Sequence, residues 1–150
     1  MMIKIRCLVI FVVLIFGTQA YCAPTPQACF GFACVNVDVV NTPKDMERGL
    51  SGRKELGNDQ GMLFIFESPG VYSFWMKDMN FNLDIIWLNE KLQVVDIKEK
   101  FAPCTPQSCP IYTPQAAARY VLEVNADYCQ KHGIKLGHRL RLNGVVPLYL

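Results

Sequence analysis

Histidine is scarce in this 150-residue chain: His132 and His138 are the only two, and no H-x3-H or similar spacing links them. A histidine-based metal centre is therefore not expected. No G-x-S-x-G setting surrounds Ser51, Ser68, Ser73 or Ser108, and there is no glycine-rich phosphate loop. The common serine-hydrolase and nucleotide-binding designs thus lack their parts. No cysteine pair has the C-x2-C spacing of a thioredoxin-like redox centre. There is no internal repeat and no low-complexity tract, and no cofactor is expected.

Charge is also in short supply. The formal net charge is only +2, and Lys4 and Arg6 account for it. They open a segment with the three-part layout of a secretory signal peptide. After them come the apolar run Cys7 to Phe16 and the small, polar Gly17-Thr18-Gln19-Ala20. Cleavage after Ala20 suits the small residues Thr18 and Ala20. The apolar run is 10 residues long, against the roughly 20 a helix needs to span a bilayer, so cleavage is favoured over a retained anchor. Cys22 suggests a lipid attachment site, but bulky Tyr21 before it does not suit one. Without residues 1–20, 13 basic side chains face 13 acidic ones. No basic stripe is left to neutralise a phosphate backbone, and nucleic-acid binding is not expected. The chain is read as exported, periplasmic or extracellular, with the membrane involved only through the signal peptide.

Cleavage leaves six cysteines: Cys22, Cys29, Cys34, Cys104, Cys109 and Cys129. An even number in an exported chain suggests disulfides, which persist in oxidising compartments. Cys29/Cys34 and Cys104/Cys109 share a C-x4-C spacing and are the candidate pairs. Two such knuckles can also hold a structural zinc, but export favours disulfides. A local Cys104–Cys109 ring would stabilise by about 2 kcal/mol on the chain-entropy relation.

Length fits one domain, with residues 1–20 a signal peptide, 21–32 an irregular leader rich in Pro24, Pro26 and Gly31, 33–146 the domain, and 147–150 a C-terminal tail. Ala33 to Val40 alternates from Cys34 onward, the period of a half-buried strand. Thr42-Pro43-Lys44-Asp45 reads as a helix start, giving a helix over about 43–52 with Gly49 inside it and Gly52 as its stop. Gly61 is read as a turn residue before an apolar strand, Met62 to Phe66. Ser68-Pro69-Gly70 reads as a turn into a partner strand, Val71 to Met76. Leu83 to Leu88 and Leu92 to Ile97 form the clearest hairpin. Four prolines between 103 and 114 mark an extended loop, followed by a strand over Tyr120 to Val124. Asn125 is expected to cap a short helix over 126–132 that stops at Gly133, and Arg139 to Val146 is read as a terminal strand. The fold class is α+β, mostly antiparallel β, with a curled sheet or small barrel and two short helices.

Certain motifs, in this order, carry a resemblance: Arg48-Gly49-Leu50, Gly61-Met62-Leu63-Phe64, Phe74-Trp75-Met76-Lys77, Leu83-Asp84-Ile85-Ile86, Cys109-Pro110-Ile111-Tyr112 and Tyr120 to Asn125. Over about residues 35–143 the chain resembles the domain of unknown function 192 (DUF192) family, a small prokaryotic one with no established reaction. Asp78-Met79 stand where that family usually has an Asn-Thr-like pair, and Asp127 where it usually has glycine.

Arg48, Trp75, Lys77, Asp84 and Glu123 are the candidate ligand-binding residues. On a strand, Asp84 shares a face with Ile86 and Leu88, while Leu83, Ile85 and Trp87 take the other. Both faces are apolar, so a buried Asp84 needs a cation or backbone amides. Arg48 and Lys77 are the candidate cations. Two readings stand: a pocket in which Asp84 holds Arg48 towards an anionic or hydroxyl-bearing ligand, or a structural ion pair. Alternation turns Trp75 and Met76 to opposite sides, so at most one faces a given pocket. The leading expectation is a non-catalytic small-ligand-binding or accessory module of the cell envelope. One alternative is a glycan-directed hydrolase using an Asp84/Glu123 carboxylate pair. The other is an interaction protein that engages a partner through loop 103–114.

Overall fold

The computed structural model describes residues 25–144. The expected signal peptide, Cys22, the end of the terminal strand at Val145–Val146 and the tail at 147–150 lie outside these residues. Among the described residues, nine strands and two short helices follow in the order β1 (Gln27–Phe30), β2 (Ala33–Val40), α1 (Pro43–Arg48), β3 (Gln60–Gly70), β4 (Phe74–Trp75), β5 (Leu83–Leu88), β6 (Val94–Phe101), β7 (Ile111–Tyr112), β8 (Ala118–Asn125), α2 (Tyr128–His132) and β9 (Arg141–Asn143). Seven strands make one curled, half-barrel sheet in the order β6-β5-β8-β3-β2-β1-β9, and β4 pairs with β7 separately. The class is α+β with mostly antiparallel strands, as the sequence implied. The exception is β2–β3, a parallel pair whose connection contains α1.

The central strands are buried on both faces, which explains their near-continuous apolar runs. One face packs Leu63, Ile65, Ile86, Leu88, Leu122 and Val124 against Tyr128, Cys129 and Ile134 of the α2 region. The other packs Met62, Phe64, Leu83, Ile85, Trp87 and Val121 against Leu50, Leu56 and Met76. All six residues of β5 are buried.

Several local expectations need correction. Residues 27–30, within the expected irregular leader, form a strand that pairs with β2 and β9. The alternation of Ala28 and Phe30 with Gln27 and Cys29 was too short to read. The helix stops at Gly49, not Gly52: Thr42 Oγ1 accepts the Asp45 amide at 3.2 Å at one end, and Gly49 caps the other at φ 48°. Gly49 therefore lies outside the helix, in a conformation that favours glycine. Ser68-Pro69-Gly70 does not turn the chain. Ile65 opposes Tyr120 and Gly70 opposes Ala118, so β3 continues through an irregularity that accommodates the proline. Val71 to Met76 yields only the two-residue β4, and its partner is β7. Gly61 is in the strand, not in a turn: a Cβ there would sit 2.8 Å from the Glu123 carbonyl oxygen. Asn125 does not cap α2; its amide donates to the Leu56 and Gly57 carbonyls at 2.9 and 3.0 Å. Asp127 holds the N-cap position instead, at φ 71°. Asp78 is likewise at φ 57°. Aspartate and asparagine tolerate the left-handed region, so Asp127 preserves a conformation that glycine adopts freely.

The two C-x4-C pairs each close on themselves as disulfides, Cys29–Cys34 and Cys104–Cys109. Neither pair leaves a thiolate for zinc. Among the described residues, Cys129 is free, and it is buried.

Candidate functional site

Asp84 is wholly buried, yet neither Arg48 nor Lys77 is its partner. Backbone amides satisfy it: Lys100 N–H donates to Oδ1 and Cys129 N–H to Oδ2, both at 2.9 Å. The first amide is presented by a bulge. Leu83 opposes Phe101 and Ile85 opposes Lys98, so β6 carries an extra residue there, and Lys100 adopts φ 50°. The second belongs to the first turn of α2. One carboxylate thus ties β5 to a bulge in β6 and to a helix start, with the Lys100–Asp127 ion pair closing the same corner at 2.6 Å. The pocket reading for Asp84 and Arg48 is corrected accordingly. Arg48 is exposed and pairs with Asp45 at 3.1 Å, one turn back on its own helix.

Asp84, Glu99 and Cys129 place ligating atoms within 4.8 Å of one another. Burial, followed by the charge of Asp84, pushes the Cys129 thiol well up. That favours the protonated thiol in the metal-free protein.

Glu123 lies on the other face. Across the sheet it opposes Ile85 on β5 and Met62 on β3, whereas Asp84 opposes Val124. Alternation therefore puts the sheet between the two carboxylates. They cannot flank one glycosidic bond, so the hydrolase pairing is removed.

On the Glu123 face is a cavity of about 430 Å³, within the usual range for small-molecule sites. Phe64, Phe66, Tyr72, Phe74, Trp75, Met46, Met76 and Met79 supply its apolar lining, and Glu47, Arg48, Ser51, Ser73 and Glu123 its charged and hydroxyl groups. The aromatic wall is rigidly built. Phe66 stacks on Tyr72 at 3.5 Å, Phe74 meets Phe64 and Trp87 edge-on at 5.1 and 5.7 Å, and Trp87 Nε1 donates to the Tyr72 carbonyl at 2.9 Å. Trp75 is 48 % exposed and Met76 1 %, yet both line this cavity, which corrects the expectation that at most one would: β4 ends at Trp75, so strand alternation does not extend to Met76. The fold therefore brings Arg48, Trp75 and Glu123 to one cavity. Lys77 lies in an adjoining surface groove with Lys44, Glu47, Arg48, Ser51, Trp75 and Asp78, and Asp84 is behind the sheet.

Glu123 is only 5 % exposed, and its Oε2 has no hydrogen-bond partner. Desolvation pushes its pKa up to about 8, against a smaller opposing effect from the Arg53 charge. It is thus mainly a neutral acid at pH 7.

Asp96 is a further buried acid, which sequence patterning did not single out. It accepts the Tyr112 hydroxyl at 3.0 Å, the Gln115 amide at 2.7 Å and its neighbour Ile97's amide at 2.7 Å. This staples the loop after the Cys104–Cys109 disulfide to β6. An acid inside a strand, followed by a proline-rich loop, was the available signal.

Two disulfides suit an oxidising compartment. Among the described residues, no helix is long and apolar enough to cross a membrane. A family model, DUF192, described as an uncharacterized ACR, matches residues 28–142. Two solved structures are similar. One is a protein of unknown function from Novosphingobium aromaticivorans DSM 12444, 26 % identical with a TM-score of 0.70, covering 77 % of this chain and 83 % of that one. The other, from Sinorhizobium meliloti 1021 and named a candidate transcription regulator, is 26 % identical with a TM-score of 0.71, covering 80 % and 93 %. No curated protein matches.

Proposed function

We propose a function for a chain that belongs to the DUF192 family: it is an exported, non-catalytic module of the cell envelope that binds a small, largely apolar molecule. The observation that carries this reading is the aromatic- and methionine-walled cavity with Glu123 in its lining. Aromatic rings provide large contact area at fixed geometry, and a few polar groups suffice to orient a ligand. The other hydroxyls lining it are already engaged. Ser51 donates to the Lys77 carbonyl at 3.1 Å, Tyr72 to the Ser68 carbonyl at 2.6 Å, and Ser73 and Thr113 share a bond at 2.9 Å. No base activates any of these hydroxyls, which supports binding over catalysis. Export rests on the amino-terminal layout and on the disulfides. It requires the envelope or culture fraction to contain a chain that begins near Tyr21.

The test is a ligand-observed NMR screen of small aromatic compounds against the oxidised protein, repeated with Trp75→Ala. Half-exposed Trp75 contributes one wall, so its truncation should weaken the hits several-fold with little effect on stability. If no compound binds, or if the hits bind Trp75→Ala equally well and their contacts map away from the cavity, the reading fails.

A further inference from the structure

Every charged group around the cavity except the deepest has a partner or free access to water. Arg48 is held by Asp45 at 3.1 Å, Arg53 by Asp38 at 2.7 Å, and Glu47 is exposed. Glu123 is not so served. Its cross-strand neighbours Met62 and Ile85 are apolar, β4 contributes only Phe74 and Trp75, and Oε2 is unpartnered. A buried carboxyl oxygen without a partner is costly, and native proteins seldom keep one without a use. An anionic ligand would set like charge against this carboxyl whenever it ionises. A cation would supply the missing donor, and the surrounding ring faces and methionine sulfurs attract positive charge.

We propose that the cavity takes an amine: an apolar or aromatic molecule whose ammonium group donates to Glu123, with its body against Phe64, Phe74 and Trp75. This deepens the binding reading above and rests on it. The ammonium enters as RNH3⁺, and Glu123 gives up its proton to solvent, so one cation is bound and one proton released. Arg53, the cation acting on Glu123 from the segment after α1, eases that ionisation.

The probes are 2-phenylethylamine and its neutral isostere 2-phenylethanol, titrated into the oxidised full-domain protein from pH 6 to 9. Because Glu123 must ionise to pair, amine affinity should rise about tenfold per pH unit at the acidic end and level off above about pH 8. Calorimetry in two buffers of different ionisation enthalpy should find close to one proton released at pH 6.5. Glu123→Gln should abolish both the pH dependence and the preference for the amine. It should still bind 2-phenylethanol, which shows that the variant is folded. A pH-independent amine affinity, an equal preference for the alcohol, or an unchanged Glu123→Gln would overturn the amine assignment and leave the cavity reading standing. Binding of neither probe at any pH would overturn both.

Discussion

Asp84 and Glu123 occupy adjacent strands, nearly opposite one another, and both are withdrawn from water. Their environments differ completely. Asp84 meets two backbone amides, one from a bulge and one from a helix start. Glu123 meets methionine, isoleucine and an aromatic-walled cavity, and keeps an oxygen unpartnered. Burial alone therefore says little about what an acid does. The side of the sheet it faces decides whether it serves as an architectural acceptor or remains available to a ligand.

The sharpest way to break this comparison is at Asp84. Asp84→Ala leaves one buried and one part-buried amide without acceptors and should cost about 2–5 kcal/mol, while Asp84→Asn, which keeps one acceptor, should cost less. Urea denaturation at pH 7 measures both. A loss below about 1 kcal/mol for the alanine variant would mean that the bulge and helix amides find other partners.

Glu123 should reveal itself through pH. Its folded-state pKa of about 8 lies above the ordinary 4.5, so its contribution to stability is fully present below about pH 4.5. It is lost as pH rises to about 8, with a slope of about 1.4 kcal/mol per pH unit in between. An ordinary ion-paired carboxylate has the opposite sign. Glu123→Gln should remove this slope, and denaturation curves of both proteins from pH 5 to 9 test it. Parallel pH profiles would show that Glu123 is charged in the folded protein.

A smaller effect is expected at the Cys104–Cys109 disulfide, which closes a short ring. The Cys104→Ser/Cys109→Ser double variant should lose about 2 kcal/mol in thermal or chemical denaturation. Because Tyr112 and Gln115 are anchored independently on Asp96, the cavity on the Glu123 face should keep its ligand hits. Loss of binding in this variant would show that the loop shapes the cavity after all.

Much of the framework was legible in local pattern. The strand over Ala33–Val40, the Leu83–Leu88 strand with its hairpin partner, the Thr42-Pro43 helix start and the Gly133 stop all follow from near-neighbour chemistry. That Trp75 and Met76 line one cavity does not, because alternation holds only within a strand and β4 ends at Trp75. Boundaries failed where long-range pairing overrode local signals. Ser68-Pro69-Gly70 looks like a turn until β8 is placed beside it, and Gly61 looks like one until the Glu123 backbone approaches.

The sequence by itself determined that Asp84 must be answered by something, since its strand is apolar on both faces, and that the family is DUF192. Only the tertiary structure decided that the answer is two amides from β6 and α2 and not the side chain of Arg48. It alone also decided that Asp84 and Glu123 are separated by the sheet. The physical reason is register. Which residues face one another across strands depends on the pairing of distant segments, and a shift of one residue would send each carboxylate to the opposite face.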